Sequence, residues 1–171
     1  QMSKLLRECV LGCKKIDNSY VLAKNRDRTY DAEVAIIHHV DSNLEFAIIY
    51  DLQTNYVEGI NASSGIAIMN VALQNGTDFS SAPSDEGRYI FKVLINAKDP
   101  VDAAKQLCKK DTTVYGSTFI VDAEQMLVLE NAKDKKPKCF RRKLRKLPVV
   151  RTNHSEYLPG AGFDPSDGDD Y

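Results

Sequence analysis

The sequence predicts an α+β protein in which antiparallel sheets pack against a pair of helices. Strand-like segments joined by short polar turns occupy the first half of the chain, and the strand pattern returns after two segments with helical periodicity. Six strands, two helices and four further strands do not alternate as β-α-β units. We therefore expect antiparallel sheets, with the helical pair covering one sheet face.

The first six strands form three predicted hairpins, each with a turn rich in Asp, Asn or Ser. One segment, Val34-Ala35-Ile36-Ile37, is apolar without alternation and predicts a strand buried on both faces. The paired strands are Cys9–Ile16 with Tyr20–Asn25, Glu33–Val40 with Leu44–Asp51, and Tyr56–Ile60 with Gly65–Ala72.

The helical segments follow these hairpins. Ser84 is predicted to cap the first helix, and Glu86 favours its positively charged N-terminal end. Asp99 and Pro100 open a second helix that extends to about Lys110, since proline suits the first helical position. The predicted apolar stripe of the first helix consists of Ile90, Phe91, Leu94 and Ile95. The later strands are Ser117–Val121, Met126–Glu130, Cys139–Leu147 and Val149–Asn153.

Length and composition restrict the class of protein. With 171 residues and 43% apolar content, the chain suits one domain with a real core. A net charge of −1 gives no overall attraction to nucleic acid or membrane, and no segment reaches the about 18 apolar residues of a membrane span. The cysteines have no zinc-site spacing and form no dense disulfide framework; they are Cys9, Cys13, Cys108 and Cys139. We therefore expect a cytoplasmic protein with reduced thiols and no metal or cofactor.

One segment is strongly basic: nine of the fourteen residues from Lys133 to Lys146 are Lys or Arg. Such a run is typical either of a polyanion-binding patch or of a solvated hairpin whose charges protect an edge strand. Phe140 is its only aromatic residue, so stacking on nucleic-acid bases is poorly supported. We favour the protected edge and do not expect nucleic acid as a partner.

Cys9 is the candidate nucleophile, although a lone cysteine in a strand is more often a core residue. A hairpin turn centred on Asn18 places Cys9 opposite Asp27 and beside Asn25. There an aspartate could hold a cationic amine, and Arg26 adds positive charge that favours a thiolate. The three histidines lie within or just after strands and do not suggest a catalytic base. The expected base is therefore a freed α-amino group, whose pKa is about 8.

Five short segments follow one another in a characteristic order. They are Cys9, Lys24-Asn25-Arg26-Asp27, Glu58-Gly59-Ile60-Asn61, Gly65-Ile66-Ala67-Ile68-Met69-Asn70 and Arg151-Thr152-Asn153-His154. Their order resembles that of the cysteine N-terminal-nucleophile hydrolases, in particular the choloylglycine hydrolase and penicillin V acylase group, and the related acyl-coenzyme A:6-aminopenicillanic acid acyltransferases. The resemblance extends across the chain from Cys9 to Phe163 and implies an αββα sandwich.

The resemblance also implies roles for individual residues. Cys9 would be the nucleophile and, once the preceding residues are removed, its own α-amine would be the base. Asp27 matches the aspartate that orients this amine. Asn153 matches an asparagine that helps to form the oxyanion hole, and Asn70 resembles a second asparagine on the oxyanion side.

Two further features concern the substrate and the choice of nucleophile. Lys24 and Arg26 are the candidate substrate-binding residues. Lys24 stands where bile-salt hydrolases carry an arginine, and a lysine is a point charge rather than a bidentate fork. Cys13 is the alternative nucleophile because it follows Gly12, and the acyltransferases cleave themselves at a Gly-Cys junction. Cys9 is preferred because Cys13 lies too close to the turn to meet Asp27.

These inferences predict an enzyme that hydrolyses, or transfers an acyl group from, a linear non-peptide amide of small-molecule size. Residues 1–8 are expected to be a short propeptide or an expression remnant. Residues 9–171 are expected to form the domain, either whole or lacking a C-terminal segment, since family members continue past this point. Assembly into a homo-oligomer stays open. The alternative function is a catalytically silent binding domain that holds an anion through its basic hairpin.

Overall fold

The computed structural model describes residues 9–26, 31–73, 86–109, 114–142 and 147–162. The α+β class is confirmed, and all twelve predicted elements are present. Most of their described ends shift by three residues or fewer, but the strand predicted over Cys139–Leu147 ends at Arg142, where the described range also ends. Ser84, the predicted cap of the first helix, lies outside the described ranges. The elements are β1 Cys9–Ile16, β2 Ser19–Arg26, β3 Val34–Val40, β4 Glu45–Asp51, β5 Tyr56–Asn61, β6 Ile66–Val71, α1 Glu86–Asn96, α2 Pro100–Leu107, β7 Gly116–Val121, β8 Met126–Asn131, β9 Lys138–Arg142 and β10 Val149–Arg151.

The strands form two antiparallel sheets. The large sheet has seven strands in the order β3-β4-β5-β6-β7-β8-β9, and the small sheet has three in the order β10-β1-β2. Every residue of β7 and of β8 is buried. These two strands are therefore covered on both faces of the sheet.

The two faces of the large sheet pack against different layers, as strand alternation requires. Ile66 and Ile68 of β6 belong to a core shared with α1 and α2. Met69 and Val71 of the same strand belong to a second core beneath the small sheet. The described residues thus form three layers: helices, large sheet and small sheet. Neither of the described helices has the length and apolar character to cross a membrane.

The predicted burial of β3 on both faces is wrong. Ile36 is 80% exposed and Val34 50% exposed. β3 is the first strand of the large sheet and pairs only with β4. On the face that carries Ile36, the apolar residues packed beneath the small sheet belong to β6, β7 and β8, at the other end of the strand order. An apolar run cannot distinguish an edge strand from a central one, because the strand order is set by tertiary packing.

The predicted register of the first hairpin is wrong by one residue. Ile16 pairs with Ser19, so the turn consists of Asp17 and Asn18, and Asp17 has a positive φ of 52°. Two-residue hairpin turns favour Asp and Asn because these residues tolerate this backbone conformation. The shorter turn places Cys9 opposite Arg26, rather than opposite Asp27 as expected.

Both helices pack against the large sheet, and Gly87 permits the close approach of α1. A Cβ atom at this position would lie 1.9 Å from the carbonyl oxygen of Asn55 and 2.8 Å from the Cα of Tyr56. Since both contacts are with backbone, neither can be relieved by a side-chain rotation. Ile90 and Leu94, further along α1, are fully buried in the core that this approach creates.

Gly87→Ala tests this packing. Alanine has a higher helix propensity than glycine, by at most about 1 kcal/mol at this first-turn position, but the clash should outweigh this gain and destabilise the fold by about 1–3 kcal/mol. Gly12→Ala is the matched control, since a Cβ there would meet nothing within 4 Å. Urea denaturation should find the control within about 0.5 kcal/mol of the wild type. A Gly87→Ala protein as stable as the wild type would show that α1 does not lie against this turn.

Candidate active site

Cys9 and Asn153 meet at one end of the small sheet. Leu11 of β1 pairs with Arg151 of β10, and the same antiparallel register continued by two residues brings position 153 to position 9. The backbone nitrogen of Cys9 donates a hydrogen bond to Oδ1 of Asn153 at 2.5 Å. Cys9 is half-buried, and Asn153 is fully buried. The structure therefore brings together the predicted nucleophile and one of its predicted partners.

The side-chain amide of Asn153 has one orientation that satisfies its neighbours. Its Nδ2 donates to the carbonyl oxygen of Ala72 at 2.6 Å, while its Oδ1 accepts from Cys9. A flipped amide would oppose two donors at one end and two acceptors at the other. The amide therefore links the first residue of β1 to the end of β6.

Lys24 and Arg26 form a buried charge cluster with carboxylates of the large sheet. Lys24 Nζ lies 2.5 Å from Glu58 Oε1, and the two side chains are 6% and 4% exposed. Arg26 lies 3.6 Å from Asp51 Oδ2 and 3.7 Å from Glu58 Oε2. Tyr56 lies under both cations, with its ring centroid 5.1 Å from the ammonium of Lys24 and 4.3 Å from the guanidinium of Arg26. The predicted substrate-binding cations are thus already paired within the protein.

Burial has the largest effect on the pKa of Lys24. Removal from water lowers the pKa of Lys24, and the charge of Glu58 opposes this shift without cancelling it. The charge of a Cys9 thiolate would also raise the pKa of Lys24, so the two groups lie within electrostatic reach of each other. Register explains why: Lys24 pairs with Leu11, two residues from Cys9 on the same sheet face.

Asn70 belongs to the charge cluster. Its Oδ1 accepts from the hydroxyl of Tyr56 at 2.8 Å, and its Nδ2 donates to Thr118 Oγ1 at 2.8 Å and to the carbonyl oxygen of Tyr115 at 3.4 Å. Its carbonyl oxygen accepts from Lys24. Both N–H groups of the amide are therefore occupied, and no hydrogen bond joins Asn70 to Cys9. The oxyanion role of Asn70 stays a prediction.

The alternative nucleophile, Cys13, lies inside the core beneath the small sheet. It is 1% exposed, and burial raises the pKa of the Cys13 thiol to about 11. A buried thiol with a raised pKa is a poor nucleophile near neutral pH. The geometry favours Cys9. Asp27, the predicted partner of the amine, lies outside the described residues, so its role stays a prediction.

Sequence reasoning assigned no site role to Asp51, Tyr56, Glu58 or Glu86. Glu58 appeared only within a family motif. An acidic residue between Val57 and Ile60 in a predicted strand indicates a carboxylate that is buried with a partner, and this signal could have identified Glu58. Glu86 was predicted as a helix-end charge, yet it is 8% exposed. Its Oε1 accepts from the backbone nitrogen of Tyr115 at 3.1 Å.

The basic run contains the edge strand β9. Lys138 and Arg141 are exposed, as expected for a charged edge that resists pairing with another sheet. Arg142 donates to Glu156 at 2.7 Å, and the ring centroids of Phe140 and Tyr157 are 3.9 Å apart. Residues 143–146 lie outside the described ranges. Within those ranges, no three His, Cys, Asp or Glu side chains converge as metal ligands.

Comparisons with protein-family models and with curated proteins yield no relative. No protein-family model matches the chain. No curated protein matches it significantly.

The carboxyl group of Glu86 predicts a pH dependence of stability. Burial raises the pKa of Glu86 from 4.5 to about 7, against the opposing effects of the Tyr115 N–H and the charges of Lys24 and Arg26. The folded state thus holds the proton more tightly than the unfolded state. The stability that this proton contributes is complete below pH 4.5 and is lost as the pH rises to about 7.

Glu86→Gln should remove this dependence, since glutamine can still accept from the Tyr115 N–H and does not ionise. As the pH rises from 4.5 to about 7, the free energy of unfolding of the variant should increase relative to that of the wild type, by up to about 3 kcal/mol. Urea denaturation of both proteins at pH 4.5, 6 and 8 measures the difference. A difference that is constant with pH, or that favours the wild type at pH 8, would contradict the assignment.

Proposed function

We propose that this chain is the catalytic part of a cysteine N-terminal-nucleophile enzyme that hydrolyses, or transfers an acyl group from, linear non-peptide amides. The observation that carries the proposal is the 2.5 Å hydrogen bond between the Cys9 nitrogen and Asn153 Oδ1. Cleavage of the peptide bond before Cys9 turns this nitrogen into a primary amine. The base of the reaction would then already have an oriented partner.

The proposed chemistry uses only atoms of Cys9 and its neighbours. The free α-amine, with a pKa of about 8, takes the thiol proton as Sγ attacks the amide carbonyl carbon. The tetrahedral intermediate collapses when the ammonium returns a proton to the departing amine, which leaves a thioester on Cys9. Water or a second amine then attacks the thioester, the α-amine again accepts the proton, and the thiol is released.

Asn153 would contact both the base and the oxyanion of this reaction. Its Oδ1 accepts from the Cys9 nitrogen and orients the lone pair of the amine toward the thiol. Its Nδ2 carries two N–H groups, of which one is donated to Ala72, so the second can donate to the oxyanion. A donor aimed at this developing charge contributes about 2.7–4 kcal/mol to catalysis.

The charge cluster would supply the electrostatic environment of the thiol. Arg26 lies opposite Cys9 in the hairpin register, and Lys24 lies diagonally from it. Because Asp51 and Glu58 pair with these cations, a substrate carboxylate would have to compete with them. We propose that Lys24 and Arg26 orient the substrate mainly through the electric field of their charges and through the shape of their side chains. Asp27 is proposed to hold the α-ammonium group.

The αββα sandwich implied by the resemblance is also proposed. The described residues account for one helical layer and two sheets. The outer face of the small sheet exposes Val10, Val21 and Val150 at 40%, 49% and 46%. A second helical layer on this apolar face would complete the sandwich.

A chain that begins at Cys9 tests the function directly. It is produced with Cys9 immediately after an initiator methionine that the host removes. This chain should release amine from a panel of N-acyl amides, whereas the chain that retains residues 1–8 should not, because a peptide nitrogen cannot act as the base. Release is measured by mass spectrometry of the products.

Two matched variants complete the experiment. Cys13→Ser in the chain that begins at Cys9 should keep the activity, and Cys9→Ala should abolish it. Equal turnover by a chain shown by mass to retain residues 1–8 would reject the N-terminal-nucleophile mechanism. Inactivity of both forms would favour the silent binding domain.

A further inference from the structure

Glu130 is a buried carboxylate that the proposed chemistry does not use. It lies in β8, on the face of the large sheet that carries the small sheet, and has 0% exposure. Both of its oxygens accept hydrogen bonds. The donors are Ser155 Oγ at 2.6 Å, Tyr157 N at 2.8 Å, Glu156 N at 2.9 Å and Ser117 Oγ at 3.5 Å.

Three of the four donors belong to one loop, residues 155–157. In the part of the chain that the structure describes, no Lys, Arg or His nitrogen lies within the 4.0 Å of an ion pair with Glu130. The direct contacts of its oxygens are therefore with the loop and Ser117, while the charge of Arg151 acts on Glu130 from beyond ion-pair distance. An ionised carboxylate is an acceptor only, and it suits four donors better than an amide or a protonated acid would.

This loop follows Asn153 at once. On one side of Asn153, β10 pairs with β1; on the other side, Ser155 binds Glu130 and also accepts from Leu158 N at 2.7 Å. A further bridge joins His154 to Gly162. Asn153 thus lies in a short segment held at both ends, and Glu130 supplies the principal polar contact at one of them.

We propose that Glu130 is a positioning residue that holds Asn153 against the nitrogen of Cys9. The consequence for catalysis rests on the proposed function; the structural consequence does not. Glu130→Gln keeps the size of the side chain but turns one acceptor oxygen into a donor that faces other donors. Each oxygen of Glu130 accepts from one serine hydroxyl, which can turn to accept from the new amide, and from one backbone N–H, which cannot. At least the N–H of Glu156 or of Tyr157 therefore loses its acceptor, which weakens the attachment of the loop to β8.

The first measurement is hydrogen exchange in the full chain labelled with ¹⁵N. The side-chain amide of Asn153, assigned by its loss in Asn153→Asp, should be protected in the wild type because it is buried and bound to Ala72. Its exchange should be at least about tenfold faster in Glu130→Gln, which is the direction expected for local opening. Ser155→Ala removes one loop contact and should give a smaller change, so a test remains if Glu130→Gln does not fold.

The second measurement is turnover by the chain that begins at Cys9. Glu130→Gln should lower kcat on the order of 100-fold with little change in KM, because misplacement of a reacting group by about 1 Å has this effect. Leu107→Ala is the control: it weakens the core on the opposite face of the large sheet and should change neither Asn153 exchange nor kcat to this extent.

Each outcome decides a different claim. Wild-type protection of Asn153 in both Glu130→Gln and Ser155→Ala would overturn the positioning role. Faster exchange without any amide turnover by the wild type would uphold the positioning role and remove the proposed function. Faster exchange with unchanged kcat would show that Glu130 holds the loop but not the reacting geometry, and would overturn its catalytic consequence.

Discussion

The hydrogen bond between the Cys9 nitrogen and Asn153 joins two residues that are 144 positions apart in the chain. It exists because β1 is the central strand of the small sheet and pairs on one side with β10. Asn153 is fully buried, and its amide oxygen and one of its two amide N–H groups are hydrogen-bonded. Everything proposed for the site depends on this contact, since a cysteine without an oriented amine or a donor to its substrate is a small core residue.

The interface between the two sheets changes character along β2. Tyr20 and Leu22 pack on the apolar core beneath the small sheet, whereas Lys24 and Arg26, further along the same face, meet carboxylates. Charges taken out of water are costly unless they are paired and hydrogen-bonded. Glu58 meets this requirement by accepting from Lys24 and from the Asn70 nitrogen, and it also lies within ion-pair distance of Arg26.

This arrangement means that removing one member should cost more than the pair contributes. A cation left without its carboxylate would remain buried and uncompensated, which typically destabilises a protein by about 3–5 kcal/mol. The cluster joins β2 of the small sheet to β4 and β5 of the large sheet. It also keeps positive charge close to Cys9, where a thiolate would form.

The sequence predicts the local structure well and the tertiary pairing poorly. Alternation, turn residues and the Asp99-Pro100 cap are local signals; Asp99 accepts from the Asp102 nitrogen at 2.8 Å, as a cap should. The predicted register of the first hairpin was wrong by one residue because Ser19 belongs to β2 and pairs with Ile16, which leaves a turn of two residues. The burial of Ile36 was wrong because strand order lies outside any local pattern.

The candidate site shows the same division. Cys9 and Asn153 were identified from motifs, and strand pairing brings them together. Glu58 and Glu86 could not be assigned from the sequence, because their roles arise from the stacking of one sheet on another and from the burial of a helix end. Glu130 appears in the sequence only as the last residue of an apolar strand. Its hydrogen bonds come mostly from a loop that is distant in sequence.

The most direct test of the account is the rate at which Cys9 becomes acylated. The chain that begins at Cys9 and its Asn153→Ala variant are mixed with p-nitrophenyl acetate, and the acylated thiols are located by peptide mass mapping. Cys139, which is exposed, serves as an internal reference thiol. The account predicts preferential acylation of Cys9 in the first chain and a loss on the order of 100-fold in the variant, with Cys139 unchanged. Equal acylation of Cys9 in both chains would contradict the claim that Asn153 arranges the nucleophile.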